Sequence, residues 1–290
     1  MFIFNFIKRF LSLLQNYFKS FLLIVFTIWL FAPSDNNEII KAKYNLAKVY
    51  ITGEIMIIDK IVEELREIYF DNSIKGVLLI IDSGGGAVDK SVEISDIVKK
   101  IREKKPVVSY ASGTLASGSL YSAIWSNEII ANRGSLIGSI GVLFSGINYQ
   151  KLSEFLGISS QVLKMGKYKE SGTASREWTS YEKEELQKIM KDTYETFVSD
   201  VATARKLDIS KKDIFADAHI FTARQAQEVG LVDSLGILFD AEVHLENIVK
   251  NSNPLFMPVW EKESEMDKFI KEFSSEIFSK IFLFFEPRLK

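Results

Sequence analysis

The run Gly76-Val77-Leu78-Leu79-Ile80-Ile81-Asp82 is apolar up to its final aspartate and leads into Ser83-Gly84-Gly85-Gly86. A strand that is apolar at every position has to be covered on both faces, as strands in parallel sheets are. The serine and glycines are expected to break the strand. The neighbouring segments agree with such a sheet. Lys48-Val49-Tyr50-Ile51-Thr52-Gly53, Pro106-Val107-Val108-Ser109-Tyr110-Ala111 and Asn127-Glu128-Ile129-Ile130-Ala131-Asn132 read as further strands. Between them, Ile57, Ile58, Ile61, Val62, Leu65, Ile68 and Tyr69 recur at helical spacing, as do Val88, Val92, Ile97, Val98 and Ile101. Strand–helix alternation of this kind predicts an α/β fold with right-handed crossovers.

Composition removes several functional classes. The chain has 290 residues, 47% of them hydrophobic, which is enough for one sizeable core. A net charge of −2 argues against a nucleic-acid partner. There is no cysteine, so disulfide frameworks, thiol nucleophiles and thiolate metal sites are excluded. The two histidines are His219, ahead of an amphipathic helix, and His244, inside a later one. Neither has the local setting of a catalytic base.

The N-terminal end of the chain suggests a membrane. Residues 20–33 are almost wholly apolar and follow Lys8, Arg9 and Lys19. That run alone reaches about 20 Å as a helix, short of a hydrocarbon core of about 30 Å. The span closes if the helix begins near Phe10 and Lys19 snorkels to the headgroups. The preceding cations favour a cytoplasmic N-terminus and an exported remainder. Trp29-Leu30-Phe31-Ala32-Pro33 is too bulky for a signal-peptidase site, so a retained anchor is expected rather than a cleaved leader. The expected organisation is an anchor over 1–33, a linker over 34–47, a globular domain over 48–250, and a linker with a helical tail over 251–290. In that tail Met266, Phe269, Ile270, Phe273, Ile277, Phe278, Ile281 and Phe282 form an apolar stripe. The stripe suits packing on protein or lying on a membrane surface. Lys268, Lys271, Glu272, Glu276 and Lys280 argue against a second span.

In open α/β sheets, ligands gather beyond the carboxyl ends of the strands. Two loops fall there. Gly84-Gly85-Gly86 lets backbone amides approach an anion at a helix start. Neither a Gly-Lys-Ser/Thr nor a G-x-G-x-x-G accompanies it, so a phosphate loop is not indicated. Ser117 sits at the matching place after the next strand, among Gly113, Ala116, Gly118 and Ser119. It could cap the following helix or serve as a nucleophile. A nucleophile would need a base, and a desolvated lysine can act as one. Lys169, in Lys164-Met165-Gly166-Lys167-Tyr168-Lys169-Glu170, is one candidate; a solvated loop lysine is the alternative.

The motifs taken together resemble the signal peptide peptidase A family of membrane-bound serine–lysine peptidases, which share the Clp protease/crotonase superfold. Ile81–Val88 is similar to that family's N-S-P-G-G oxyanion loop, with Gly84 in place of the proline. Ala116–Ala123 resembles its A-S-G-G-Y-Y-x-A, with Ser119 for the second glycine. Gly138-Ser139-Ile140-Gly141-Val142 matches G-S-I-G-V, Lys167-Tyr168-Lys169 falls where the family carries its base, and Phe221–Asp233 resembles the closing F-T-G-R-Q-A-x-x-x-G-L-V-D. The resemblance runs from about Val49 to Ala241.

It implies a Clp protease/crotonase-like fold of repeated βα units. Ser117 would be the nucleophile, Lys169 the base and Ser139 the residue orienting the lysine. The amides of Gly86 and Gly118 would form the oxyanion hole. It further implies a serine endopeptidase with no metal or organic cofactor, cleaving extended peptides such as remnant signal peptides. The chain would be a single-pass protein of the bacterial inner membrane, its catalytic domain outside the cytoplasm. The short members form rings in which serine and lysine come from neighbouring subunits. Two rivals keep the fold: a crotonase-like enzyme acting on an acyl thioester, and an inactive peptide-binding scaffold.

Overall fold

The computed structural model describes residues 44–260 and Leu23. The expected anchor and the amphipathic tail beyond residue 260 otherwise lie outside the described residues. Among the described residues no helix is long and apolar enough to cross a membrane.

A mostly parallel sheet organises the unit that begins at Tyr44. Its central path runs β1 (Leu46–Ile55), β2 (Gly76–Gly86), β3 (Val107–Ala116), β4 (Glu128–Ala131) and, paired with β4, a two-residue strand at Ser234–Leu235. Helix α1 (Asp59–Phe70) joins β1 to β2, and α2 (Val88–Arg102) joins β2 to β3. Alternate residues of β2 explain its unbroken apolar run. Val77, Leu79 and Ile81 enter one core with Leu65 of α1 and with Ile94, Val98 and Ile101 of α2. Leu78 and Ile80 face a second core built by Ala241, Leu245 and Val249 of a late helix, Leu238–Ser252. Each face of the strand thus has its own cover, and β2 is buried from Gly76 to Ile81.

The structure departs from the expected pattern in ways that shape the site. The Ser83–Gly86 stretch does not end β2. The ladder to β1 shifts register and resumes with Glu54 opposite Gly85 and Ile55 opposite Gly86. Two residues expected on inner helix faces point outward: Ile57 lies in the turn before α1 and is 86% exposed, and Val88, the first residue of α2, is 50% exposed. The inner stripe of α2 is instead Ser91, Ile94, Ser95, Val98 and Ile101. Its two serines are small enough to let the neighbouring chain come close.

β3 divides its partners. Val108–Ala111 pairs with β4, while Thr114–Ala116 pairs with β5 (Leu136–Gly138), which pairs in turn with the antiparallel β6 (Ile220–Thr222). The end of β3 therefore lies between the β2 glycines and the end of β5, where three of the singled-out motifs meet.

Candidate active site

Ser117 follows the last residue of β3 and precedes the short helix α3 (Gly118–Ala123), after which comes α4 (Gln150–Phe155). Its backbone is held at φ 53°, ψ −124°, a strained conformation for a residue with a Cβ. A hydrogen bond from its N–H to the carbonyl of Gly138, 2.8 Å, ties it to the end of β5. Ser139, the next residue, is also at φ 53°, and its N–H donates to the carbonyl of His219 at 2.7 Å. Ser117 and Ser139 are thus brought together by adjacent strand ends. The capping role open to Ser117 is not realised: its side chain makes no cap bond, and its hydroxyl has no hydrogen-bond partner among the described residues.

The glycine loop presses against this serine. Gly85 has φ +96°, and a Cβ built there would lie 2.6 Å from the amide nitrogen of Gly118 and 2.8 Å from the Cβ of Ser117. The Gly85 amide is committed, because it donates to the hydroxyl of Ser83 at 3.1 Å. Gly86 is the residue that reaches the site. It lines the cavity beside Ser117 and Gly118, and its nitrogen is 3.3 Å from where a Gly118 Cβ would stand. Gly118 is itself held in place by Ser91, whose hydroxyl occupies the space a Cβ would need.

Ser119 locks the two loops together, a role that sequence reasoning missed. Its side chain is fully buried. The hydroxyl accepts from the N–H of Ala116 (2.9 Å) and donates toward the carbonyls of Ser83 (2.6 Å) and Ala116 (2.9 Å). A serine where the resembled motif has glycine is therefore a cross-link between the β2 and β3 ends.

The cavity at Ser117 has a volume of about 200 Å³. Val88 and Val92 of α2 form one wall, and Tyr121 lies beside Gly118. Thr193, Thr196 and Phe197 close it from the long helix α5 (Ser180–Arg205), with Asp192 at the same side. Tyr121 packs edge-on to Phe197 at 4.8 Å between centroids and donates its hydroxyl to Asp200. Burial, then that hydrogen bond, push the Tyr121 pKa well above the ordinary tyrosine value. No element was assigned to α5 from sequence. The available signal was the Thr179-x-x-Glu182 spacing of a capping box, in which the Glu182 carboxylate accepts from the N–H and hydroxyl of Thr179.

Among the described residues, neither histidine ring nor any lysine lines the cavity. His219 is exposed, and His244 pairs with Glu128. Lys169 is also exposed, in a turn held by a 3.3 Å bond from its own N–H to the Gly166 carbonyl. Its ammonium has no hydrogen-bond or ion-pair partner among the described residues. Within one chain, then, Gly86, Ser117 and Gly118 line one cavity with Ser139 at the adjoining strand end, while Lys169 does not line it and belongs to a segment whose Leu143, Phe155, Leu163 and Met165 project into solvent.

Comparison with known proteins bears directly on this arrangement. A family model described as Peptidase family S49 matches residues 99–251, which contain Ser117, Ser139 and Lys169. The chain belongs to peptidase family S49. Its relatives include a protein of Methanocaldococcus jannaschii, 40% identical over 66% of this chain and 61% of its own length. A Synechocystis protein is 39% identical over 74% of this chain and 75% of its own length. Both carry names describing proteases. An Enterococcus faecium relative, named for the signal peptide peptidase SppA, is 32% identical over 72% of this chain and 62% of that protein. The chain thus spans somewhat under two thirds of the first and third of these relatives. A second model, described as Clp protease, matches residues 34–125, so the βα units carrying the glycine loop and Ser117 are Clp protease-like.

Proposed function

We propose that this chain is a serine peptidase in which Ser117 is the nucleophile and Lys169, supplied by a neighbouring copy, is the base. One observation carries the reading. Ser117 is strained, opens on a cavity and has an uncommitted hydroxyl, while the lysine of the resembled motif stands on an exposed apolar segment of the same chain. A second copy that covers that segment would desolvate the lysine as it delivers it, which is what a lysine base needs.

The chemistry follows from the positions. The Ser117 hydroxyl attacks the scissile carbonyl carbon as Lys169 takes its proton. The N–H groups of Gly86 and Gly118 receive the oxyanion of the tetrahedral intermediate, and Ser139 orients the lysine amine. Collapse breaks the peptide C–N bond, and the leaving amine takes the proton from Lys169. Water, deprotonated by the Lys169 amine, then attacks the ester carbonyl, and the proton passes to the Ser117 oxygen as the C–O bond breaks and the acid leaves. Val88, Val92 and Phe197 favour an apolar substrate side chain beside the nucleophile. An extended peptide from a signal sequence or membrane segment offers such side chains. An N-terminal anchor over residues 1–33 would hold the enzyme at the membrane, with its peptidase domain on the outer side.

Mixing Ser117→Ala with Lys169→Ala chains tests the shared site. Each variant alone should be inactive. In a randomly mixed ring about a quarter of the interfaces pair an intact serine with an intact lysine, so peptidase activity should return to roughly that fraction. A co-assembled mixture that stays inactive would exclude a site shared between copies.

A further inference from the structure

The chain enters and leaves the described unit at one place. Asn45 and Leu46, at the start of β1, both donate their N–H to the carbonyl of Val259, at 2.9 and 3.2 Å. The side-chain amide of Asn45 donates to the Met257 carbonyl and accepts from the Val259 N–H, 2.9 Å each. Phe256 is buried in the core that holds Leu46, and Trp260 packs against it. With those two rings turned in, Leu255, Met257 and Val259 are left outside, Leu255 91% exposed.

That clamp sits at the amino end of the sheet. In parallel βα units every strand starts from the same end, and ligands gather at the other. Leu46 pairs with Gly76, and Val77 with Val107, so the clamp is level with the starts of β2 and β3. Ser117 follows the far end of β3. The ten residues of that strand rise about 30 Å. Two turns share the clamp's end. The first, after α1, leaves Phe70 exposed and joins the clamp through the Lys75 N–H, 2.7 Å from the Asn45 carbonyl. The second closes α2, with Lys99, Lys100 and Arg102 in its last turn and Lys104 just after it. Asp71 and Glu103 offset only part of this positive charge, in a chain whose net charge is −2.

Uncovered apolar side chains beside a cluster of cations suit the headgroup region of an anionic bilayer, where the former enter and the latter meet phosphate. Residues 34–43 connect this end to the expected anchor and reach about 35 Å at most. We propose that the strand-start end of this unit rests on an anionic lipid surface. Leu255, Met257 and Val259 enter the headgroup layer, and Lys75, Lys100, Arg102 and Lys104 meet lipid phosphates. The proposal rests on the reading of residues 1–33 as an anchor. It turns the Ser117 end away from the bilayer, about 30 Å out, and selects peptides that have left the membrane or hang well clear of it.

The chain has no cysteine, so Met257→Cys and Val88→Cys each give the full chain a single site for a fluorophore. Each labelled chain is inserted from detergent into preformed vesicles of phosphatidylcholine, with or without phosphatidylglycerol. In the anionic vesicles doxyl-labelled lipid should quench the fluorophore at 257, and quenching by aqueous acrylamide should fall severalfold. At 88, beside the nucleophile, the lipid should not quench. Acrylamide quenching at 257 should recover in Lys75→Gln/Lys100→Gln/Lys104→Gln, since each lysine near an anionic surface strengthens binding about fivefold. Omitting phosphatidylglycerol should have the same effect. Should thermal melting show Met257→Cys unfolded, Leu255→Cys replaces it. Lipid quenching at 88 and not at 257 would overturn the proposal. Protection from acrylamide at 257 without lipid quenching would also overturn it, because a second copy would then cover this face. Flotation in high salt separates the two claims. A chain that floats while its 257 fluorophore stays open to acrylamide loses only the lipid face; a chain that does not float loses the anchor, and the lipid face with it.

Discussion

The α-carbon of Gly85 rests so close to Ser117 that a methyl group added to it would come within 2.8 Å of the serine Cβ. The glycine loop and the Ser117 turn are therefore in direct contact, and neither can shift without the other.

Gly85→Ala tests this contact. The positive φ costs an L-residue about 1–2 kcal/mol, and the clash with Gly118 and Ser117 adds to it. The variant should melt at a lower temperature and label poorly at Ser117. Native labelling with an unchanged melting temperature would show that the loop can give way freely.

Ser119→Ala should destabilise the fold by about 1–3 kcal/mol, since it strands the Ala116 N–H and the Ser83 carbonyl in a buried site. Chemical denaturation measures the loss. Ser119→Gly should be comparably unstable unless water enters the vacated space, and a loss below about 0.5 kcal/mol would show that the cross-link is dispensable.

Acid should loosen the segment that carries Lys169. The Arg176 guanidinium, followed by the Thr179 N–H, holds the Glu182 carboxyl down to about 2 from 4.5. A depressed carboxylate pKa gives stability that is complete above the ordinary value and lost as pH falls toward the folded one. Wild type should thus outlast Glu182→Gln at pH 6 in limited proteolysis between residues 164 and 179. The difference should shrink as pH falls from about 4.5 toward 2. A difference unchanged by acid would remove Glu182 from the account.

If residues 1–33 anchor the chain, high salt should leave it in the membrane fraction and detergent should release it, because the attachment is apolar rather than electrostatic. Terminal sequencing that finds a mature N-terminus near Ser34 would overturn the retained anchor.

Much of the scaffold was legible in the chain itself. A strand apolar at Val77, Leu78, Leu79, Ile80 and Ile81 has only one common solution, a sheet covered on both faces, and the two cores supply the covers. Ser117 and Gly86 came forward through the family resemblance, since the small-residue turns alone left a helix cap and a plain tight turn open. Ser119, Ser91 and the wall from α5 were not. A buried serine looks polar in sequence, and whether it is satisfied depends on carbonyls 36 residues away, as for Ser119 and Ser83.

The sequence by itself determined the alternation of strands and helices, the glycine and serine turns at the strand ends and the family signature, because these depend on local sterics and on periodic burial. Only the tertiary structure decided that Gly85 spends its amide on Ser83, that Gly86 reaches the cavity, and that Lys169 is exposed and does not line that cavity. Those outcomes depend on long-range contacts and on which surfaces remain uncovered, and spacing along a chain carries no record of either.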